Sequence, residues 1–283
     1  MVGGAEMTAV QGIVLGIVQG LTEFLPVSSS GHLALGSALM GLPAPGLSLS
    51  VMVHFGTAVA AVVVLWRDIA LILSRLLGGR GPSGHRAGSL PFVIRLVVAS
   101  IPAALVGLFA EGFVDKVFSS PVVAAVGLIV TGFILRLPEA ERRVAHRRDH
   151  LGEGRELPTV SWAAAITVGI AQAVAIVPGI SRSGTTITAG LLSGLDGDDA
   201  ARFSFLLSLP AVFGALLLDL RRAGSTEVLF SAPALAGAAA AFIAGAVALK
   251  AVFQSVRKGR LAGFAYYCWL VGAVSLAIML VRR

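Results

Sequence analysis

Two distant stretches of this chain break otherwise apolar runs with the same polar pattern. Residues 19–32 read Gln-Gly-Leu-Thr-Glu-Phe-Leu-Pro-Val-Ser-Ser-Ser-Gly-His, and residues 172–186 read Gln-Ala-Val-Ala-Ile-Val-Pro-Gly-Ile-Ser-Arg-Ser-Gly-Thr-Thr. Counted from each glutamine, both carry Ser nine positions on (Ser28, Ser181), Ser eleven on (Ser30, Ser183) and Gly twelve on (Gly31, Gly184). Between the two serines stands Ser29 in the first stretch and Arg182 in the second. Non-helical backbone at membrane depth is tolerated only where protein or a wet cavity surrounds it. Ionisable side chains there need a partner or a task. The two breaks are therefore expected to meet and build one site.

That the surround is lipid follows from composition. The 283 residues are 56% hydrophobic and only 13% charged, and mean hydropathy is +0.89; a soluble domain carries about a quarter charged residues. The formal net charge is +7, but the basic residues gather between apolar runs. That pattern fits cytoplasmic loops rather than a nucleic-acid surface, so no nucleic-acid partner is expected. The single cysteine, Cys268, excludes an intramolecular disulfide and gives no metal motif. No basic segment or cleavage signal precedes the first apolar run, so the N-terminus is expected to belong to the mature protein.

The expected fold is all-α: a polytopic membrane protein with an inverted-topology repeat, each half a re-entrant broken hairpin followed by three spanning helices. The first repeat covers residues 1–138, with its hairpin at about 7–42 and spans at about 47–66, 90–110 and 119–136. A basic cytoplasmic linker follows at 139–158. The second repeat covers 159–283, with its hairpin at about 160–194 and spans at about 199–220, 232–250 and 262–281. Each span has about the 20 residues needed to cross a 30 Å core. Three spans per half is odd, so the halves enter from opposite sides and the hairpin tips meet near the midplane. A short interfacial helix is expected at 69–77. Arg95 is expected to snorkel to the surface. Placing the basic segments 67–89, 136–155 and 250–260 in the cytoplasm puts Arg221 and Arg222 outside, a minor exception.

The residue types at the two breaks point to phosphate chemistry. Arg182, flanked by Ser181 and Ser183, sits where a half-helix begins, so free backbone N–H groups and a positive dipole end face the same point. Its guanidinium offers a fork matched to phosphate oxygens. Glu23 is a carboxylate at membrane depth, with Gln19 four residues earlier on the same helix face. Ser29 is a candidate nucleophile if a base activates it, and both Glu23 and His32 are near in sequence. Plainer readings compete. Glu23 and Arg182 could form only a structural ion pair, and serines at a helix start are often only caps. His54 is read as a satisfied buried histidine, and His146 with His150 as part of a solvated loop rather than a metal site. Tyr266, Tyr267 and Trp269 are read as an interfacial belt without chemistry.

With Gln19, Glu23, the run from Phe24 to His32 and the run from Pro178 to Thr186, the chain resembles the undecaprenyl-diphosphate phosphatases of the bacitracin-resistance type. His54-Phe-Gly-Thr and the run Ala99–Gly107 are also similar, so the resemblance covers essentially the whole chain. It implies a multi-pass enzyme of the bacterial inner (plasma) membrane with a pocket open to the periplasmic or outer face. Such an enzyme hydrolyses undecaprenyl diphosphate to undecaprenyl phosphate, the lipid carrier for peptidoglycan. The catalytic residues implied are Ser29, Glu23, His32 and Arg182. The phosphate-binding set is Ser28, Ser30, Ser181, Arg182, Ser183 and Thr186. A divalent cation, Mg or Ca, is implied at Glu23 and Gln19, where Gln in place of Glu leaves one fewer charge. Implied partners are the substrate and membrane lipid, with a homodimer as the candidate assembly. From the residues alone the general base is Glu23 or His32, and direct attack by water or by His32 stays open. The rival reading is a secondary transporter or flippase for a phosphate-bearing lipid or anion, which would need Arg182 but no activated hydroxyl.

Overall fold

The computed structural model describes residues 7–40, 47–77, 89–109, 120–141, 157–222 and 230–281. Most of the expected linker, with His146 and His150, lies outside the described residues, as do residues 41–46, 78–88 and 110–119. Among the described residues every element is a helix: α1 (Ala9–Phe24), α2 (Ser29–Leu39), α3 (Leu47–Val64), α4 (Trp66–Leu76), α5 (Leu90–Phe109), α6 (Pro121–Glu141), α7 (Trp162–Val174), α8 (Arg182–Leu192), α9 (Gly197–Arg222), α10 (Ala232–Arg257) and α11 (Ala262–Val281).

The chain is a multi-pass helical membrane protein. Four described helices, α5, α6, α10 and α11, are long and apolar enough to cross a membrane. Helices α3 and α4 together also have the length and composition of a span, but they are bent by 68° at Leu65. The expected short helix is thus α4, beginning at Trp66. It keeps Asp68 buried while Trp66, Leu73 and Leu76 are exposed, the two-faced pattern of a helix lying along an interface. Its position is fixed from two sides. The Ser89 hydroxyl donates to the Ile72 carbonyl at 3.0 Å, and Asp68 pairs with Arg202 of α9. Arg95 lies over the Trp162 ring, 4.9 Å from its centroid, so its charge is held against an aromatic face at the start of α7.

The two broken hairpins are α1–α2 and α7–α8. In each, the arms pack against one another. Thr8 caps α1 in a reciprocal capping box with Gln11, and Ser161 caps α7 through the Ala164 amide, satisfying backbone donors that lipid cannot. Helix α1 shows why it packs where it does. Val10, Val14, Ile17 and Leu21 are exposed on one face, suited to lipid. On the other face Gly12, Gly16 and Gly20 lie against the backbone of Pro233, Gly237 and Ala241 of α10. Small residues every four positions let two helices approach closely enough for dispersion to hold them in a membrane.

Contacts between the halves are reciprocal. The first hairpin lies on α10 of the second half, and α7 of the second hairpin lies on α5 of the first. The last helices of the halves, α6 and α11, pack on each other. There the Trp269 indole N–H donates to the Ile129 carbonyl at 3.2 Å. A core of Phe24, Leu65, Phe92, Val168, Ile187, Phe203, Phe205 and Leu249 joins both hairpins to α3, α5, α9 and α10, and so fixes the two breaks relative to each other.

Candidate active site

The two breaks meet. Glu23, at the end of α1, pairs through Oε1 with the Arg182 guanidinium at the start of α8, 159 positions away in sequence. The other carboxylate oxygen, Oε2, accepts two hydrogen bonds: from the Gln19 amide at 3.0 Å and from the Ser29 hydroxyl at 2.6 Å. One carboxylate thus joins a hydroxyl, an amide and a guanidinium. The Glu23 side chain is 7% exposed and that of Arg182 is 25% exposed, so the site opens on the arginine side.

Local chain geometry sets this arrangement. Helix α1 ends where Pro26 and the left-handed Ser28 (φ 66°) turn the chain, and α2 restarts at Ser29. Ser29 therefore opens a helix, with its hydroxyl directed back to the end of the preceding one. In the second break Gly179 has φ 87°, where glycine is unstrained, and it lies against the Ala124 backbone, leaving no room for a side chain. Ser181 then caps α8, its hydroxyl accepting from the Gly184 amide at 3.2 Å. This places Arg182 at the first helical position.

The remaining hydroxyls pair locally. Ser28 and Ser30 are 3.3 Å apart, and Ser181 and Ser183 are 3.2 Å apart, so the matched serines of the two breaks make the same contact. Ser183 also donates to the Leu25 carbonyl at 3.3 Å, tying the second break to the first. Hydroxyl rotors of this kind can turn toward an anion without backbone movement. Thr186 is placed differently from the other phosphate-binding candidates. Its hydroxyl donates to the Arg182 carbonyl at 2.7 Å and meets the Ser204 hydroxyl of α9 at 2.5 Å. It braces the first turn of α8, with its polar atom turned into the protein.

His32 is brought to the site but not to Ser29. Its Nδ1 is 2.8 Å from the Ser28 carbonyl and its Nε2 is 2.7 Å from the Tyr267 hydroxyl. Of the two base candidates, Glu23 is the one in contact with Ser29. His54 directs Nδ1 to its own helix, 2.7 Å from the Ser50 carbonyl, and Thr57 donates to the His54 carbonyl at 2.9 Å. Among the described residues no three His, Cys, Asp or Glu side chains gather as a metal cluster. Beside Glu23, however, the Gln19 Oε1 atom is buried without a partner.

Three participants escape a reading of the two motifs. Thr131, alone in the apolar run of α6 and fully buried, holds the second break. It donates to the Gly179 carbonyl at 2.9 Å and accepts from the Ser181 amide at 2.9 Å. Ser204 supports Thr186 from α9. Tyr267, expected to belong to an interfacial belt without chemistry, is hydrogen-bonded to His32 instead. For Thr131 a signal existed, since a lone hydroxyl in a spanning run needs an acceptor. For Tyr267 an aromatic near a span end has a commoner explanation.

Fold and site together define a polytopic helical membrane protein whose two broken hairpins bring a carboxylate-linked serine against an arginine. The chain belongs to the bacitracin resistance protein BacA family, whose model matches residues 12–274. It is 41% identical over 279 residues to the undecaprenyl-diphosphatase of Desulforapulum autotrophicum, covering 95% of this chain and 98% of that one. Over 277 residues it is 41% identical to the undecaprenyl-diphosphatase of Moorella thermoacetica, covering 98% of this chain and 100% of that one. The undecaprenyl-diphosphatase of Halothermothrix orenii is 41% identical over 268 residues, 94% of this chain and 96% of that one.

Proposed function

We propose that the protein is an integral membrane phosphatase that hydrolyses undecaprenyl diphosphate to undecaprenyl phosphate and phosphate. It would thereby recycle the lipid carrier for peptidoglycan synthesis and confer bacitracin resistance. The observation that carries this reading is the 2.6 Å hydrogen bond from the Ser29 hydroxyl to Glu23, with Arg182 on the same carboxylate. A carrier for a phosphate-bearing lipid would need the arginine, but not a hydroxyl paired with a carboxylate. The names of the relatives agree with the enzyme reading.

In the proposed reaction the isoprenyl tail stays in lipid and the diphosphate enters the cleft. Arg182, the Ser28, Ser30, Ser181 and Ser183 hydroxyls and the N–H groups at the start of α8 take the terminal phosphoryl oxygens. There they stabilise the charge that spreads over these oxygens in the transition state. Ser29 Oγ attacks the terminal phosphorus as Glu23 accepts its proton. The bond from that phosphorus to the bridging oxygen breaks, Glu23 passes the proton to that oxygen, and undecaprenyl phosphate leaves with Glu23 ionised again. Glu23 then takes a proton from water as the water attacks the phosphoserine. Phosphate departs and the proton returns to Ser29.

The buried, unpartnered Gln19 Oε1 beside the Glu23 carboxylate supports a divalent cation. Hard oxygen donors of this kind suit Mg or Ca when substrate phosphate completes the shell. Such a cation, held by Glu23 and Gln19, would supply charge neutralisation on the diphosphate. In this reading the protein works in the bacterial inner (plasma) membrane, with its pocket toward the periplasmic or outer face. The inverted repeat is supported by the reciprocal packing of the halves and by the positions of the basic segments. Thr186 supports the phosphate site through the Arg182 carbonyl. The test is phosphate release from undecaprenyl diphosphate by purified protein, with and without chelator. Release that Arg182→Ala abolishes supports the reading; no release by the wild type in lipid with added cation refutes it.

A further inference from the structure

We propose that Tyr267 is a positioning residue of the active site, acting through His32 on the peptide that presents Ser29. This rests on the phosphatase reading above. The Ser28 carbonyl can only accept, so the His32 Nδ1 atom facing it at 2.8 Å carries a proton. A neutral imidazole then has its lone pair on Nε2. The Tyr267 hydroxyl, 2.7 Å from Nε2, is its donor. The two rings stack at 5.6 Å with an interplanar angle of 11°.

What this hydrogen bond controls follows from which carbonyl is held. The Ser28 carbonyl belongs to the peptide joining Ser28 to Ser29, so holding it holds the backbone from which the Ser29 side chain reaches Glu23. The peptide needs a hold. Ser28 is the single non-glycine residue with positive φ among the described residues, in a region that L side chains disfavour. If the Nδ1 proton moved to Nε2, the Ser28 carbonyl would lose its donor. Tyr267 opposes that shift by keeping Nε2 an acceptor, as a buried carboxylate fixes the tautomer of a catalytic histidine elsewhere.

The neighbours of Tyr267 grip the same break. The Cys268 thiol contacts the Pro26 carbonyl at 3.5 Å, and Val27 packs against Ala265 and Cys268. Trp269 anchors this part of α11 to α6. Tyr267 itself is 43% exposed, so core packing does not account for it; its specific contact is through the hydroxyl and the ring face. The active site of the first hairpin is therefore completed by the last helix of the other half.

The experiment is a double-mutant cycle on the full-length protein in lipid: wild type, Tyr267→Phe, His32→Ala and the double variant, each assayed for phosphate release from undecaprenyl diphosphate. Tyr267→Phe is expected to lower kcat about tenfold, the weight of one hydrogen bond to an oriented group, with KM unchanged. The double variant should be no slower than His32→Ala alone. Additive losses, or full activity of Tyr267→Phe, overturn the proposal. Nitrogen NMR of histidine-labelled protein, with His32→Ala for assignment, reads the same contact independently of turnover. Wild type should hold His32 with its proton on Nδ1, and Tyr267→Phe should lose that preference; an unchanged tautomer overturns the proposal. If the wild type releases no phosphate, the phosphatase reading fails, while the NMR comparison still decides the Tyr267–His32 contact.

Discussion

Glu23 and Arg182 form an ion pair across 159 positions of sequence, and this contact closes the site. Neither partner is fully exposed, and each lies at a helix end created by a break. The pair does two jobs that compete. It neutralises a carboxylate at membrane depth, and it occupies the group best suited to grip phosphate. A diphosphate entering the cleft would exchange one anionic partner of Arg182 for another, leaving Glu23 with Ser29 and Gln19.

Glu23→Gln keeps the shape and removes the base. It should lower kcat by roughly 10²–10⁴-fold, the usual weight of a positioned base. Substrate binding should hold or tighten, because Arg182 loses its competing partner. Steady-state kinetics together with equilibrium binding of a non-hydrolysable diphosphate analogue check both halves.

Arg182→Lys keeps the charge and loses the planar fork. Phosphate binding should weaken by about tenfold or more, a loss of a charge-assisted hydrogen bond. Ser29 should keep its contact with Glu23. The measurement is analogue affinity by calorimetry, compared with Arg182→Ala, which should be weaker still.

Thr131→Val removes a donor to the Gly179 carbonyl and an acceptor for the Ser181 amide. Leaving these buried groups unpaired should cost about 2–3 kcal/mol. It should lower the unfolding midpoint in detergent and reduce turnover, since the cap of α8 is loosened. Thr131→Ser, which keeps the hydroxyl, should recover most of both.

The Arg202–Asp68 pair is buried, with Asp68 fully so. Arg202 also donates from Nε to the same carboxylate at 3.1 Å. Asp68→Ala should destabilise by about 3 kcal/mol, because it leaves the buried Arg202 guanidinium with only the more exposed Asp199, 3.5 Å away. Replacing both with apolar residues should cost much less. Thermal unfolding of the two variants in detergent separates the cases, and activity should follow stability in each.

The matched serines and glycines at residues 28–31 and 181–184 were enough to expect that the breaks meet. They do so for a reason visible in sequence: polar groups in lipid must find each other. What separates the roles of the breaks is also legible. Four positions beyond each glutamine stands Glu23 in the first and Ile176 in the second, and between the paired serines stand Ser29 and Arg182. One break carries the base and hydroxyl, the other the cation. Which candidate base touches Ser29 was not legible, because Glu23 and His32 are both close in sequence and only the left-handed turn at Ser28 decides between them. The direction of Thr186 depends on Ser204, and the direction of His32 on Tyr267. Both are long-range contacts that no local pattern announces. The span from Leu47 was expected to end near Trp66, but nothing in its composition gave the 68° bend at Leu65.

The most direct test of the central claim is to follow the label from undecaprenyl diphosphate carrying a radioactive terminal phosphate, mixed with excess enzyme and quenched rapidly in acid. A serine nucleophile activated by Glu23 predicts label transiently bound to wild-type protein at Ser29 and then released as phosphate. It also predicts loss of both bound label and release in Ser29→Ala. Sustained phosphate release by Ser29→Ala would contradict the account, and the hydrogen bond between Ser29 and Glu23 would then be structural alone.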